Sequence, residues 1–252
     1  MTRVDLYLVQ KGFASGRDAA KRLIAEGGVK LDGKPVARPS EQVDETMPHD
    51  VVLPAKGQGY ASRGGLKLEG ALDASGLSPA GLVALDIGAS GGGFTDCLLR
   101  RGAAAVYALD NGHGQLAEFL RRDPRVTVME GYNARELKRG DFPIPPRFIT
   151  MDVSFISQTL ILPALARILD PGAIFVSLVK PQFEVGRAGV GRGGIVKDPA
   201  LRRAALEKVI SFAASCGFKP LGSRVSPIKG GDGNEEYLAW FSFDGNGKEN
   251  RK

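Results

Sequence analysis

Along most of the chain, short apolar runs alternate with segments of helical periodicity, and each run hands over to a polar or charged residue. Residues 82–86 close on Asp86; the small residues Gly88, Ala89, Ser90, Gly91, Gly92 and Gly93 follow, and a helical pattern opens at Phe94. Residues 105–109 lead into Asp110, 126–129 into Glu130, 148–151 into Asp152 and 173–179 into Lys180, while 236–243 forms a last run. Helices are expected from Ser62 onward, over 115–121, over 157–169, and from Pro199 to about Cys216. In the last of these, Asp198 is the expected cap, and Leu201, Ala204, Ala205, Val209, Phe212 and Ala213 form the expected core face. Strands and helices alternating at this spacing predict an α/β domain with a mostly parallel, doubly wound, Rossmann-like sheet covered on both faces. Ligands of such sheets bind at the carboxyl ends of the strands, where Asp86, Asp110, Asp152 and Lys180 all fall.

The first 46 residues read as a separate, small α+β unit. Val4, Leu6, Leu8 and Val9 open it, and Ser15 is placed to cap a helix reaching about Glu26, with Ala19, Ala20, Leu23 and Ile24 on one face. Gly27 and Gly28 stop that helix, and residues 29–31 and 34–36 form a hairpin across Asp32-Gly33. Residues 47–61 mix Pro, Gly and short β-like pieces, as a linker does. The expected organisation is a small domain with its linker over 1–60, a larger domain over 61–244 and a disordered polar tail over 245–252.

Composition narrows the functional class. The chain has 252 residues, 43% hydrophobic and 25% charged, which is ordinary globular usage. Lys and Arg number 34 against 28 Asp and Glu, a net charge of +6, and residues 1–40 hold eight basic and four acidic groups. Such a balance suits a polyanionic partner. Cys97 and Cys216 sit in helical patterns and make neither a CxxC motif nor a disulfide framework, which points to a reducing compartment. With His49 and His113 the only histidines, no metal-ligand spacing is present. The longest strongly apolar run, 173–179, is too short to span a bilayer, and residues 1–10 lack a signal-peptide core, so a cytoplasmic protein is expected.

Three chemistries compete for the glycine stretch. A dinucleotide loop needs a glycine where Ser90 stands, so GxGxxG is not satisfied. Gly88-Ala-Ser90-Gly-Gly92 does satisfy the GxSxG of a hydrolase nucleophile elbow, but neither His49 nor His113 allows the chain order Ser, acid, His. An S-adenosylmethionine loop, DxGxSxGGF, lacks no partner. Glycines allow close backbone approach to a nucleoside, and Asp110, at the end of the next strand, stands where a doubly wound sheet places a carboxylate on a ribose diol. The candidate cofactor residues are therefore Asp86, Gly88, Ala89, Ser90, Gly92, Phe94, Asp110 and Asp152.

Two resemblances sharpen this reading. The segment containing SGRDAAKRLI and GGVKLDGKPV resembles the S4 RNA-binding module over nearly its full length, which implies that Arg17, Lys21, Arg22, Lys30 and Lys34 meet RNA backbone. The order Lys67, Asp152, Lys180, Glu236 resembles the K-D-K-E tetrad of the FtsJ-like ribose 2′-O-methyltransferases. An S4 module fused ahead of that domain is the layout of the TlyA family of ribosomal RNA methyltransferases, and SRGGLKL, DIGASGGGFTD, MDVSFIS, LVKPQFEVG and SPIKGGDGNEEYL look like its signatures. The loop here reads GASGGGF where GASTGGF is the associated form, and Tyr132 stands where a smaller residue is expected.

The resemblance implies a class I methyltransferase fold, S-adenosylmethionine as cofactor, and transfer of a methyl group to a cytidine ribose of 16S or 23S ribosomal RNA without a metal. It implies that Lys180 stabilises or deprotonates the 2′-oxygen, that Asp152 orients it, and that Lys67 and Glu236 hold the ribose and the network. Glu235 is an alternative to Glu236, which stands directly before Tyr237. A non-catalytic ribosome-assembly role is the second reading. A haemolysin label carried by some family members is a third, for which no membrane-spanning run or long basic amphipathic helix is present. The glycine-rich segment 183–196, with Arg187 and Arg192, reads either as a surface loop or as a basic lip beside Lys180.

Overall fold

The computed structural model describes residues 1–14, 16–25, 29–52 and 60–245, with the side chains of Ala19, Arg22, Ala25 and Arg187 outside that description. The expected cap at Ser15, the helix end at Glu26, the stop at Gly27-Gly28, residues 53–59 of the linker and the tail beyond 245 therefore lie outside the described residues. The chain divides into two units, Met1–Gly59 and Tyr60–Lys252.

In the first unit the opening apolar positions form a helix, Val4–Gln10, directly after the strand Thr2–Arg3. A second helix covers Arg17–Ala25. The hairpin joins Lys30–Leu31 to Lys34–Pro35, and Asp32 and Gly33 both take positive φ, +50° and +77°, as a two-residue turn of this hand requires. Val51–Val52 extends that sheet, and Gln42–Val43 pairs with Thr2–Arg3. Val4, Tyr7, Leu8, Ala20, Ile24, Val29, Val36 and Val43 pack into its core. Beside them Asp5 is fully buried and held by Arg3 at 2.9 Å and Arg17 at 3.5 Å, the pairing a buried charge needs.

The second unit runs α1 (Gly64–Ser75), β1 (Val83–Ile87), α2 (Gly93–Arg100), β2 (Ala105–Asp110), α3 (Glu118–Arg121), β3 (Val126–Glu130), β4 (Phe148–Met151), α4 (Leu162–Ile168), β5 (Ile174–Val179), α5 (Pro181–Glu184), α6 (Pro199–Ser215), β6 (Phe218–Val225) and β7 (Tyr237–Phe243). The strands form one sheet in the order β6-β7-β5-β4-β1-β2-β3. All neighbours are parallel except β7, which runs antiparallel to both β5 and β6. Because side chains alternate across a strand, each apolar run feeds two cores. Leu85, Ile87, Ile149, Met151, Phe175 and Phe241 pack with α4 and α6, while Ala84, Val106, Phe148, Val176, Leu238 and Trp240 pack with α1 and α2. This is the expected doubly wound α/β sheet, covered on both faces.

Several local expectations change. Strand β6 has no counterpart among the expected elements: it is an edge strand whose side chains are mostly exposed, bulged between Pro220 and Gly222, so its apolar pattern is weak. The helix over 115–121 shrinks to α3, and the one over 157–169 becomes a single turn at Gln158–Leu160 followed by α4. The α6 core face is narrower than expected and rotated: Ala205, Val209 and Ala213 are buried with Leu206 and Ile210 against them, while Leu201, Ala204 and Phe212 face outward. As expected, Asp198 caps α6, accepting the Ala200 N–H at 2.8 Å.

Phe175 lies fully buried between Phe218 and Phe241, with ring centroids 5.3 and 5.4 Å away. Phe175→Ala is expected to lower the unfolding free energy by about 3–5 kcal/mol in chemical denaturation of the full chain. A loss below about 1 kcal/mol would place this aromatic cluster outside the load of the core.

Candidate active site

A cavity of about 650 Å³ opens at the carboxyl ends of β1, β2 and β4, where the strand order reverses. This is where a doubly wound sheet leaves room for a ligand, and the volume falls within the usual small-molecule range of about 300–1,000 Å³. Of the expected cofactor residues, Gly88, Ser90, Asp110 and Asp152 line it. Gly88 has φ +85°, and a Cβ there would stand 2.4 Å from the Asp152 carbonyl oxygen, so only glycine lets the ends of β1 and β4 meet. The Ser90 N–H donates to Asp110 Oδ2 at 2.8 Å and the Gly112 N–H to Oδ1 at 2.7 Å. Backbone donors thus fix the Asp110 carboxylate, and its remaining lone pairs, of about four in all, stay available to ribose hydroxyls. With Leu109, Ile156 and Ile161 as apolar walls, the cavity has the donor set and shape a nucleoside cofactor needs.

The other four expected cofactor residues lie beneath the loop. Asp86 is fully buried, accepting hydrogen bonds from Thr95 at 2.7 Å and Thr150 at 2.8 Å, because strand alternation turns it toward α2. The Ala89 N–H donates to the Leu109 carbonyl at 3.0 Å. A Cβ on Gly92 would meet the Leu120 and Leu116 side chains at 2.2 and 2.9 Å, and Phe94 is buried against Gly64.

The tetrad gathers at one edge of the sheet. Register pairs Tyr237 of β7 with Val179 of β5, so Glu236 and Lys180, the next residues outward, arrive at the same end. Lys67 on α1 is buried, and its ammonium stands 2.6 Å from Glu236 Oε2. Close packing of α1 makes this possible: a Cβ on Gly70 would lie 2.8 Å from Pro227 Cγ, and one on Gly230 would lie 2.5 Å from Glu236 Oε1. Glu235 turns instead to Arg202, 3.1 Å away. Lys180 Nζ lies 2.6 Å from Asp152 Oδ1 and donates to Ser154 Oγ at 2.8 Å. Asp152 Oδ1 is itself buried against the Lys180 ammonium, and among the described residues it makes no hydrogen bond of regular geometry. Of the four tetrad residues, Asp152 lines the cavity; ion pairs withdrawn from water gain little net stability.

Other residues of the site carried weaker sequence signals. Phe155 is 92% exposed, takes φ +64° and lines the cavity, its ring 5.2 Å from that of Phe183. A non-glycine residue in the left-handed region, with an aromatic ring in solvent, carries strain that usually serves a function. Tyr132, Asn133, Ala134 and Arg135 form the opposite wall. Glu130 accepts N–H groups from Gly114, Gln115 and Leu116 and pairs with Arg121 at 2.7 Å, fixing the 112–116 loop at the rim. The Gly114 N–H above all, with Arg121, holds its carboxyl down to about 2.

In the small unit, Arg17 is half-exposed beside Asp5, Lys21 pairs with Asp18 at 3.1 Å, and Lys30 and Lys34 are exposed. The Arg22 side chain lies outside the described residues. In segment 183–196, Asn234 is buried and bonds Val196 N–H at 3.0 Å and the Gly194 carbonyl at 2.9 Å. Among the described residues no acidic, histidine or cysteine cluster suits a metal ion, and no helix is long and apolar enough to cross a membrane.

Comparison with known proteins adds independent support. The FtsJ-like methyltransferase family model matches residues 60–243 and the S4 domain model residues 2–52. The 16S/23S rRNA (cytidine-2′-O)-methyltransferase TlyA of Mycobacterium tuberculosis is 45% identical over 239 residues, 95% of this chain and 89% of that protein. Hemolysin A of Brachyspira hyodysenteriae is 44% identical over 240 residues, 95% of this chain and 99% of that protein. A solved structure from Streptococcus thermophilus, labelled a hemolysin, has a TM-score of 0.76 at 44% identity, covering 99% of this chain and 90% of that chain.

Asp86 supplies a test of the buried layer under the loop. Burial pushes its carboxyl up to about 7, opposed by the hydrogen bonds from Thr95 and Thr150 and assisted by the charge of Asp152. A folded value above the unfolded one, about 4, makes the native state the stronger proton binder. The group's contribution therefore favours folding below about pH 4 and is lost as pH rises toward 7. Urea denaturation of the wild type and Asp86→Asn should show a stability difference that changes across that window and levels off above it. A pH-independent difference would contradict a buried ionisable carboxyl.

Proposed function

Because the chain belongs to the FtsJ-like methyltransferase family and carries an S4 domain ahead of the methyltransferase domain, we propose that it transfers a methyl group from S-adenosylmethionine to a ribose 2′-hydroxyl of ribosomal RNA. The 45% identity to the M. tuberculosis TlyA enzyme extends over 95% of the chain, and it favours cytidine as the modified nucleotide and 16S or 23S rRNA as substrate. The observation that carries the catalytic reading is the pair of lysine–carboxylate contacts, Lys67–Glu236 and Lys180–Asp152, at the same end of the sheet as the cavity, which Asp152 lines. Ribosomal RNA as substrate is consistent with a protein that works in the cytoplasm.

When bound, S-adenosylmethionine supplies a methyl group already activated by the sulfonium charge. What the protein must add is alignment of the hydroxyl and management of its proton. Asp110 holds the cofactor ribose, and the Gly88–Ser90 turn presents backbone to it. The Asp152 carboxylate accepts the 2′-O–H, which fixes the direction of the oxygen lone pair, and takes up the proton that the hydroxyl loses on methylation. Lys180, steadied by Ser154, donates to that oxygen as negative charge develops on it. Lys67 and Glu236 tie α1 to the start of β7 and keep the Lys180 side of the site in register. Phe155 offers an exposed ring on which the target base can stack. The S4 unit, through Arg17, Lys21, Arg22, Lys30 and Lys34, supplies backbone affinity that carries little sequence information.

Two measurements test this reading. With labelled S-adenosylmethionine and separated, unmodified ribosomal subunits, Lys180→Ala is expected to lower transfer by about 10²–10⁴-fold while the dissociation constant for S-adenosylhomocysteine stays within about threefold. Wild-type rates in that variant would remove Lys180 from the chemistry. Conversely, Asp110→Ala should weaken S-adenosylhomocysteine binding by about 10–100-fold in calorimetry, the worth of hydrogen bonds to a charged group. Unchanged affinity would place the cofactor ribose elsewhere. A wild-type protein that binds RNA and cofactor yet transfers nothing would favour a ribosome-assembly role.

A further inference from the structure

One buried carboxylate close to the tetrad has no part in the reaction as derived. Glu184, the last residue of α5, is buried and points into the segment that follows β4. Its Oε2 accepts the Ser157 hydroxyl at 2.6 Å, and its Oε1 accepts the Gln158 N–H at 2.8 Å. Lys208 of α6 donates to the Glu184 carbonyl at 2.8 Å and reaches its carboxylate at 3.3 Å. Gln158 in turn is anchored to β5: its side-chain amide donates to the Leu178 carbonyl at 2.7 Å and accepts the Ser177 hydroxyl.

These contacts join the same two stretches of chain that form the catalytic ion pair. At one end Lys180 reaches across to Asp152 and Ser154; at the other, four residues further along, Glu184 reaches across to Ser157 and Gln158. Between them Phe183 lies against Phe155. The cation spans in the same direction as the anion, so the segment 152–158 is clipped at both ends to the segment 180–184. An exposed loop with an aromatic residue in the left-handed region would otherwise sample several conformers, and the Lys180 ammonium takes its position from two groups on that loop.

We propose that Glu184 is a positioning residue for methyl transfer, locking the 152–158 segment so that Asp152, Ser154 and Phe155 are held in place for Lys180 and the substrate. The inference rests on the methyltransferase reading above. Neutralising the carboxylate leaves the Ser157 hydroxyl or the Gln158 N–H without its acceptor, loosens the loop and misplaces the hydroxyl-orienting groups, while the cofactor residues Gly88 and Asp110 on β1 and β2 are untouched.

The test compares wild type, Glu184→Gln, Ser157→Ala and the double variant in full-length protein. Each single variant is expected to lower kcat for subunit methylation, at saturating S-adenosylmethionine, by about tenfold or more, a larger factor than any rise in the S-adenosylhomocysteine dissociation constant, because Asp152 and Ile156 also line the cofactor cavity. The double variant should fall no further than the worse single one, because both break the same lock. Hydrogen exchange should quicken over residues 152–160 and stay unchanged in β1 and β2. Local exchange that does not change, a wild-type kcat at saturating cofactor, losses that add in the double variant, or losses wholly accounted for by cofactor affinity or thermal unfolding would each overturn the proposal. If the wild type itself transfers no methyl group, the functional reading fails, and the exchange data show separately whether the lock exists.

Discussion

The antiparallel register of β7 against β5 is the constraint on which the site depends. Pairing Tyr237 with Val179 brings Glu236 and Lys180 to one end of the sheet, and parallel pairing of β5, β4 and β1 brings Asp152 and Gly88 to that end as well. Because side chains alternate along a strand, a slip of one residue in β7 would turn its whole apolar set to the other face. The two cores therefore enforce the register that the tetrad requires. Helix α1 completes the arrangement from one face, its Lys67 reaching Glu236 because Gly70 admits Pro227.

The same alternation separates support from contact. Asp86 and Thr150 point toward Thr95 of α2 and form a buried polar layer, while the loop one residue later turns its backbone to the cavity. Asp110 and Glu130, at the ends of neighbouring strands, spend their oxygens on backbone N–H groups of the loops that shape the rim. Rigid strand ends carry the charged groups and short fixed loops carry the recognition surface, as in doubly wound sheets generally. In this frame Phe155 stands out as an aromatic of the cavity wall set far into solvent.

Much of this was legible in the sequence, for physical reasons. Buried parallel strands are continuous apolar runs, so β1, β2, β4 and β5 could be read directly, and the residue ending each run gave the polar edge of the sheet. Asp198 and Pro199 marked the start of α6, and Asp32-Gly33 marked the hairpin. Strand β6 was hidden because an edge strand with Pro220 and Gly222 shows no clean alternation. Which of Gly88, Ala89, Ser90, Gly92 and Phe94 would face the cavity could not be read from spacing, since that depends on packing by Leu116, Leu120 and Gly64. That Glu235 pairs with Arg202 while Glu236 pairs with Lys67 likewise could not be read from spacing. Phe155 and Glu184 lie inside the MDVSFIS and LVKPQFEVG segments, but hydrophobic periodicity does not single them out; their meaning comes from backbone conformation and from contacts between distant segments.

The central claim is that this sheet edge delivers a methyl group to a ribose oxygen and not to a base. Mass-spectrometric mapping of nuclease digests from ribosomal subunits, incubated with the protein and isotopically labelled S-adenosylmethionine, tests it most directly. The account predicts label on a ribose 2′-oxygen, in an alkali-resistant linkage. Label confined to a nucleobase, or absent from both subunits while the cofactor binds, would contradict it.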